Sequence, residues 1–299
     1  MKKQVIFLSI FLMGLSACDE QFNEDYSLKF SDFPVVTETE YIFGIHPLHN
    51  PQRLFEVFGP MMEYLSNNIE EVSFKLEASR NYAAYDKKLY AHKFHFSLPN
   101  PFQTINAVDK GYRVFGKMGD DQNFRGIILV RKDSGINEVS DLKGTAVSYP
   151  APTALAATMM PQYYLQTHGV NVMTELDNQY VGSQESSIMN VFLKQTMAAS
   201  TWPPPWKALS KERPELAEQL IVKWETKPLL NNGLVVLPEV PNEIVTQVIN
   251  LLTQLNQHEE GRAILARMEL SGYESATNET YLPIRDFIKI FSKEVRPLN

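Results

Sequence analysis

The histidines and carboxylate pairs are the side chains whose spacing could support metal or acid–base chemistry. His46-Pro-Leu-His49 and His92-Lys-Phe-His95 each set two imidazoles three positions apart, and imidazole is a favoured zinc ligand. Pro47 lies between the first pair, so these two rings do not share the face of a regular helix. The second pair runs from a helix end into a strand, which aims its rings differently. No cysteine or carboxylate cluster completes either set, and no metal ligand is assigned. Asp120-Asp121 and Glu70-Glu71 read as solvated turns rather than acid/base partners. The chain has no Gly-x-Ser-x-Gly, no glycine-rich phosphate loop with lysine and no His-Glu-x-x-His. It therefore reads as a non-enzyme without catalytic residues or cofactor.

The one cysteine among 299 residues is Cys18. Ahead of it stand Lys2 and Lys3, an apolar run from Val5 to Leu15, and then Leu15-Ser16-Ala17. A basic start, a short apolar run and small residues make a secretory leader, because the run falls short of the roughly 20 residues of a spanning helix. The layout resembles the bacterial lipobox, whose cysteine thiol takes up diacylglycerol and becomes the new N-terminus. The expectation is a signal peptide over 1–17, a lipidated Cys18 and a flexible tether over 18–39. Asp19 resembles an inner-membrane retention signal, which places the anchored body on the periplasmic face of that membrane.

Composition bounds the rest. A single cysteine leaves no disulfide within one chain, so an exported body must be held by its core. Removal of the leader leaves 282 of the 299 residues, enough for one large or two medium lobes. It also removes Lys2 and Lys3, taking the formal charge from −7 to −9. An acidic body argues against nucleic acid or anionic lipid as the main partner, but a local pocket can still oppose the global charge.

Tyr41-Ile42-Phe43-Gly44-Ile45 reads as a strand running into a His-Pro loop. Leu54, Phe58, Met61 and Leu65 then recur at helical spacing, with Pro60 either kinking that helix or marking its start. An amphipathic stretch near 82–90 precedes a strand at 94–98, and Pro101 opens another helix. Strands follow at 126–130, 145–149 and 233–237. Helices follow at 153–168, 242–255 and 259–268. This alternation argues for α/β architecture.

Landmarks along the chain resemble those of periplasmic substrate-binding proteins of ABC importers, most closely the phosphonate/phosphate-type family. They run from the Pro47 loop, Tyr64-Leu65 and Tyr82-Ala83-Ala84 to Pro99–Phe102 and Ser140-Asp141-Leu142-Lys143-Gly144. After these come Pro161-Gln162-Tyr163-Tyr164-Leu165, Gly182-Ser183-Gln184-Glu185, Glu259-Glu260-Gly261 and Tyr281–Ile284. The resemblance spans roughly residues 41–291. It implies a two-lobed periplasmic-binding-protein fold, type II-like, that closes on a small-molecule ligand about a hinge of two crossover strands. Ile128–Lys132 and Gly233–Leu237 are the candidate crossovers. Lobe one is then discontinuous, 40–129 plus 236–299, with lobe two at 130–235.

The resemblance also places the site. The family's Ser/Thr-rich motif falls here on Ala154-Leu155-Ala156-Ala157, where every side-chain hydroxyl is gone, flanked by Thr153 and Thr158. Thr158 lies one turn in and either serves the site or faces the core. Three lost hydrogen bonds to a charged ligand remove on the order of 5–9 kcal/mol, several decades of affinity. Gln184 stands where the family has histidine, Glu185 is kept, and the next acidic position falls on Met197 or Ala198. A simple aminophosphonate is therefore not the expected ligand. The candidate ligand-binding residues are His46, Tyr82, Phe102, Thr153, Ala154, Gln184, Glu185 and Trp202. Trp202 and Trp206 bracket a proline run, and either form an aromatic wall for a planar or cationic ligand or pack on a lobe-two surface. The implied partner is an ABC permease. The competing readings are a ligand-binding partner of a membrane sensor protein and a periplasmic metal-binding lipoprotein.

Overall fold

The computed structural model describes residues 38–298, so the signal segment, Cys18 and residues 19–37 of the expected tether lie outside the described residues. The fold is mixed α/β with two sheets. In the first, β1 (Thr39–Ile45) lies between β2 (Val72–Glu77) and β3 (Phe96–Leu98), parallel to both. β10 (Gly233–Val236) runs antiparallel between β3 and β4 (Arg113–Met118), and β11 (Tyr273–Ser275) closes the far edge. The second sheet has the order β7 (Leu176–Tyr180), β6 (Thr145–Tyr149), β8 (Ala198–Thr201), β5 (Ile127–Arg131), β9 (Leu220–Glu225). β1 begins two residues before Tyr41: Thr39 and Glu40 pair with Val72 and Ser73, so the end of the expected tether belongs to a strand.

The two candidate crossovers are themselves sheet strands. β5 buries Ile128 and Val130 in one apolar cluster and Ile127 and Leu129 in another. A strand covered on both faces reads as an unbroken apolar run, which is why it stood out in the sequence. β10 is fully buried between β3 and β4 for the same reason. The chain instead passes between the sheets through the polar segments 119–126 and 226–232. Boundaries at 129/130 and 235/236 would cut β5 and β10. The two links hold each other: Thr226 N donates to Gly126 O and Leu229 N to Phe124 O, both at 2.9 Å. The Asp121 carboxylate accepts from Asn231 N at 2.9 Å and from the buried Lys117 Nζ at 2.9 Å.

Local chemistry sets the helices that face the gap between the sheets. α1 (Pro51–Asn68) and α3 (Pro101–Asp109) both start with an asparagine cap followed by proline. Asn50 accepts from Arg53 N at 3.0 Å, and Asn100 accepts from Gln103 N at 3.1 Å. α1 runs on through Pro60. The proline run after Trp202 is no loop: Pro203 to Pro205 form the first turn of α6 (Pro203–Glu212), where missing N–H groups cost nothing. α2 (Tyr82–Tyr90) and α5 (Gln184–Phe192) begin on capping Asn81 and Ser183. The helix expected over 153–168 opens instead with a π-helical turn, Leu155–Met159, before α4 (Met160–Thr167). Gly126 lies against that turn. A Cβ there would sit 2.6 Å from the Ala156 carbonyl oxygen and 2.5 Å from the Pro161 ring, so only glycine fits. Among the described residues no helix is long and apolar enough to cross a membrane.

Candidate functional site

The site forms where the C-terminal ends of the parallel strands meet. From the half built on the first sheet, which takes in the chain before the first link and after the second, come His46 just past β1, Tyr82 opening α2 and Asn100 capping α3. The links add Phe124 and Asn232. From the second half come Ala154 to Ala157 at the π-helical turn, Gln184 opening α5 and Trp202 just past β8. Crevices at strand C-terminal ends are where open α/β sheets place their ligands. The void left among these side chains is about 10 Å³, at the threshold for a single water.

No lining residue is a lysine or arginine. His46 is buried, and burial pushes its pKa down to about 4, with the charge of His49 adding and the Leu98 carbonyl opposing. Its Nδ1–H donates to Leu98 O at 2.8 Å, which leaves Nε2 as a lone-pair acceptor. Burial pushes the Tyr82 hydroxyl well up, eased by the neighbouring Gln184 amide, so the phenol stays protonated. Gln184 Oε1 accepts from Thr201 Oγ1 at 2.8 Å, which leaves its amide nitrogen to donate. Asn232 is fully buried and its Oδ1 has no partner. The backbone N–H groups at the start of the 155–167 helical segment add donors without charge. The arrangement thus offers both donors and acceptors and no full positive charge.

Of the expected residues, His46, Tyr82, Ala154, Gln184 and Trp202 line one void. Thr153 takes part through its backbone, its carbonyl accepting from Asn100 Nδ2 at 3.0 Å across the gap. Thr158 faces the core, buried with its hydroxyl unpartnered. Phe102 is buried in the apolar core and does not line the void. Glu185 stands apart from the void, 3.4 Å from His49 Nδ1, a charge contact rather than a well-formed hydrogen bond. Burial pushes the Glu185 carboxyl up, but His49 and nearby donors outweigh it and hold the group below its ordinary value.

The two tryptophans part company. Trp202 meets Phe124 edge-on at 5.5 Å, while Trp206 packs on the second half's cluster around Leu209 and Ile188. His92 and His95 hold backbone: His92 Nε2 donates to Lys110 O at 2.6 Å, and His95 Nδ1 accepts from Ile42 N at 2.9 Å. Among the described residues there is no cluster of three metal-ligating side chains. Sequence reading missed Asn100, Phe124 and Asn232. The Asn-Pro pair at 100–101 was a usable signal for the first, whereas Phe124 and Asn232 reach the site only because the links pass through it.

Residues 43–281 match the family described as "ABC transporter, phosphonate, periplasmic substrate-binding protein". Among solved structures, the chain is similar to a binding protein component of an ABC phosphonate transporter from Pseudomonas aeruginosa. The identity is 19%, the TM-score is 0.78, and the match covers 86% of this chain and 88% of that one. It is similar also to PhnD1 from Prochlorococcus marinus in complex with methylphosphonate, at 17% identity and TM-score 0.78, covering 86% and 99%. The alkanesulfonate-binding protein SsuA from Xanthomonas axonopodis pv. citri, bound to MOPS, matches at 13% identity and TM-score 0.63, covering 87% and 96%. At these identities the structures speak for the fold alone.

Proposed function

The chain belongs to the phosphonate family of periplasmic ABC-transporter substrate-binding proteins, and on that premise we propose that it is a lipid-anchored solute receptor whose ligand is not a phosphonate. The observation that carries this reading is the chemistry of the void. Its helix start has alanine and leucine where hydroxyls would cradle an oxyanion, it has no cationic side chain, and it presents the neutral His46 Nε2 and the Asn232 carbonyl as acceptors. An acceptor facing a dianion repels it, whereas a ligand carrying its own N–H or O–H donors satisfies it. The ligand class is therefore a small solute, either uncharged or a zwitterion without a phosphonate group, held between the halves and presented to a permease. A thermal-shift screen of a Cys18→Ser chain tests this. Solutes of that class should stabilise the folded chain, by about 2.7 kcal/mol at hundredfold excess over Kd, and so raise the midpoint. A shift with phosphonates alone would sink the reading.

Anchoring rests on the sequence around Cys18 and is tested separately. The wild-type chain should fractionate with membranes and the Cys18→Ser chain should not. A Cys18→Ser protein that stayed with membranes would remove the lipid from the account.

A further inference from the structure

We propose that Trp202 occupies the solute's place and is the specificity-determining residue of the cleft, so that the two halves close with no solute between them. The inference rests on the receptor reading above and adds how its site is regulated. Binding proteins that close on a ligand do so because the ligand supplies contacts that favour the closed state. Here the chain supplies them. Trp202 is 4% exposed, Leu155 1% and Phe124 2%, and all three belong to one apolar cluster that runs from the first half's core across the gap into the π-helical turn. The water-sized void among them leaves no room for a solute of several heavy atoms while Trp202 keeps its position. The three side chains share the void with His46, Tyr82 and Asn100 of the first half, so parting the halves would open it to water, a cost that a cleft lined by hydroxyls does not carry.

Polar contacts set the same closed register. Arg53 of α1 meets Glu212 of α6 at 2.6 Å, and Lys207 of α6 meets Glu269 of the first half at 2.6 Å. Such partly exposed pairs add little stability each, but they fix how the halves meet. A solute must therefore compete with Trp202, and its apparent affinity is reduced by the fraction of molecules in which Trp202 is displaced.

Small-angle X-ray scattering of the solute-free Cys18→Ser chain tests the proposal. The profile should match the closed structure without any addition, and a wider, open profile would overturn the proposal. In a Trp202→Ala variant the open fraction should rise by roughly tenfold or more, the scale on which truncating a buried interface tryptophan acts. Far-UV circular dichroism should stay unchanged. A folded Trp202→Ala variant that stayed as closed as wild type would also overturn the proposal. If that variant does not fold, the wild-type profile alone decides. The two readings fail separately: if no solute binds, the receptor reading falls while a closed profile stands, and an open profile leaves the receptor reading intact.

Discussion

Phe124→Ala is expected to lower the free energy of unfolding by about 3–5 kcal/mol, the range for truncating a buried aromatic. Phe124 sits on the first link, 2% exposed, with its ring against Trp202 and its carbonyl bonded to the second link. The backbone bond to Leu229 survives the substitution, so the loss reports the side chain's packing between the halves. Urea denaturation gives the value. Phe102→Ala makes a useful comparison: it should cost stability on a similar scale, because it too is buried in the first half's core, yet leave the cleft unchanged. A loss below about 1 kcal/mol for Phe124→Ala would mean that water already reaches that ring and that the apolar contact across the gap is not made.

The second large effect is a pair of opposed titrations. His46 is held neutral, its pKa pushed from 6.5 down to about 4 by burial. Between those values the unfolded chain takes up a proton that the folded chain refuses. The stability linked to His46 is therefore whole above pH 6.5 and falls away towards pH 4, by about 3 kcal/mol in all. Asp86 does the reverse. Burial pushes its pKa from 3.8 up to about 6, against a hydrogen bond from Gln103 Nε2. The folded chain holds that proton between pH 6 and 3.8, so acidification through this window adds a similar amount.

In the wild-type chain the two contributions nearly cancel. Asp86→Asn should raise stability at pH 7 by up to about 3 kcal/mol and then lose it steeply below pH 6.5. His46→Gln should instead gain stability on acidification. Urea titrations from pH 7.5 to 4.5 on the three proteins read this out, since every other carboxylate is common to them. Parallel stability curves would show that neither group is shifted as described.

Much of the fold was legible because strands and helices leave periodic traces. The family landmarks 82–84, 99–102, 161–165 and 182–185 lie on or beside the elements that build the site, whereas 64–65 and 140–144 lie away from its lining. The proline run after Trp202 carries no helix signal in the sequence, because prolines at helix positions one to three look like loop residues until the preceding strand is known. The links were misplaced because sequence shows apolar runs most clearly, and in this fold the most apolar runs are the strands buried on both faces, not the segments between sheets. Phe124 and Asn232 left no trace, since nothing local in Gln122-Asn123-Phe124 or Asn231-Asn232-Gly233 says that two distant links meet. Glu185 and Phe102, suggested by resemblance alone, lie off the void because side-chain direction is set by packing that no motif encodes. The loss of hydroxyls at 154–157 was plain in the sequence. What stands beside them, a tryptophan just past the neighbouring strand β8 of the same sheet, was not.

On the function proposed above, this member of a phosphonate-binding family has a cleft that does not take phosphonates. Isothermal titration of the Cys18→Ser chain with methylphosphonate and 2-aminoethylphosphonate tests it most directly. The account predicts no saturable heat with either compound up to ~1 mM, an affinity weaker than about 4 kcal/mol of binding free energy. Saturable binding of either phosphonate below a micromolar Kd would contradict it.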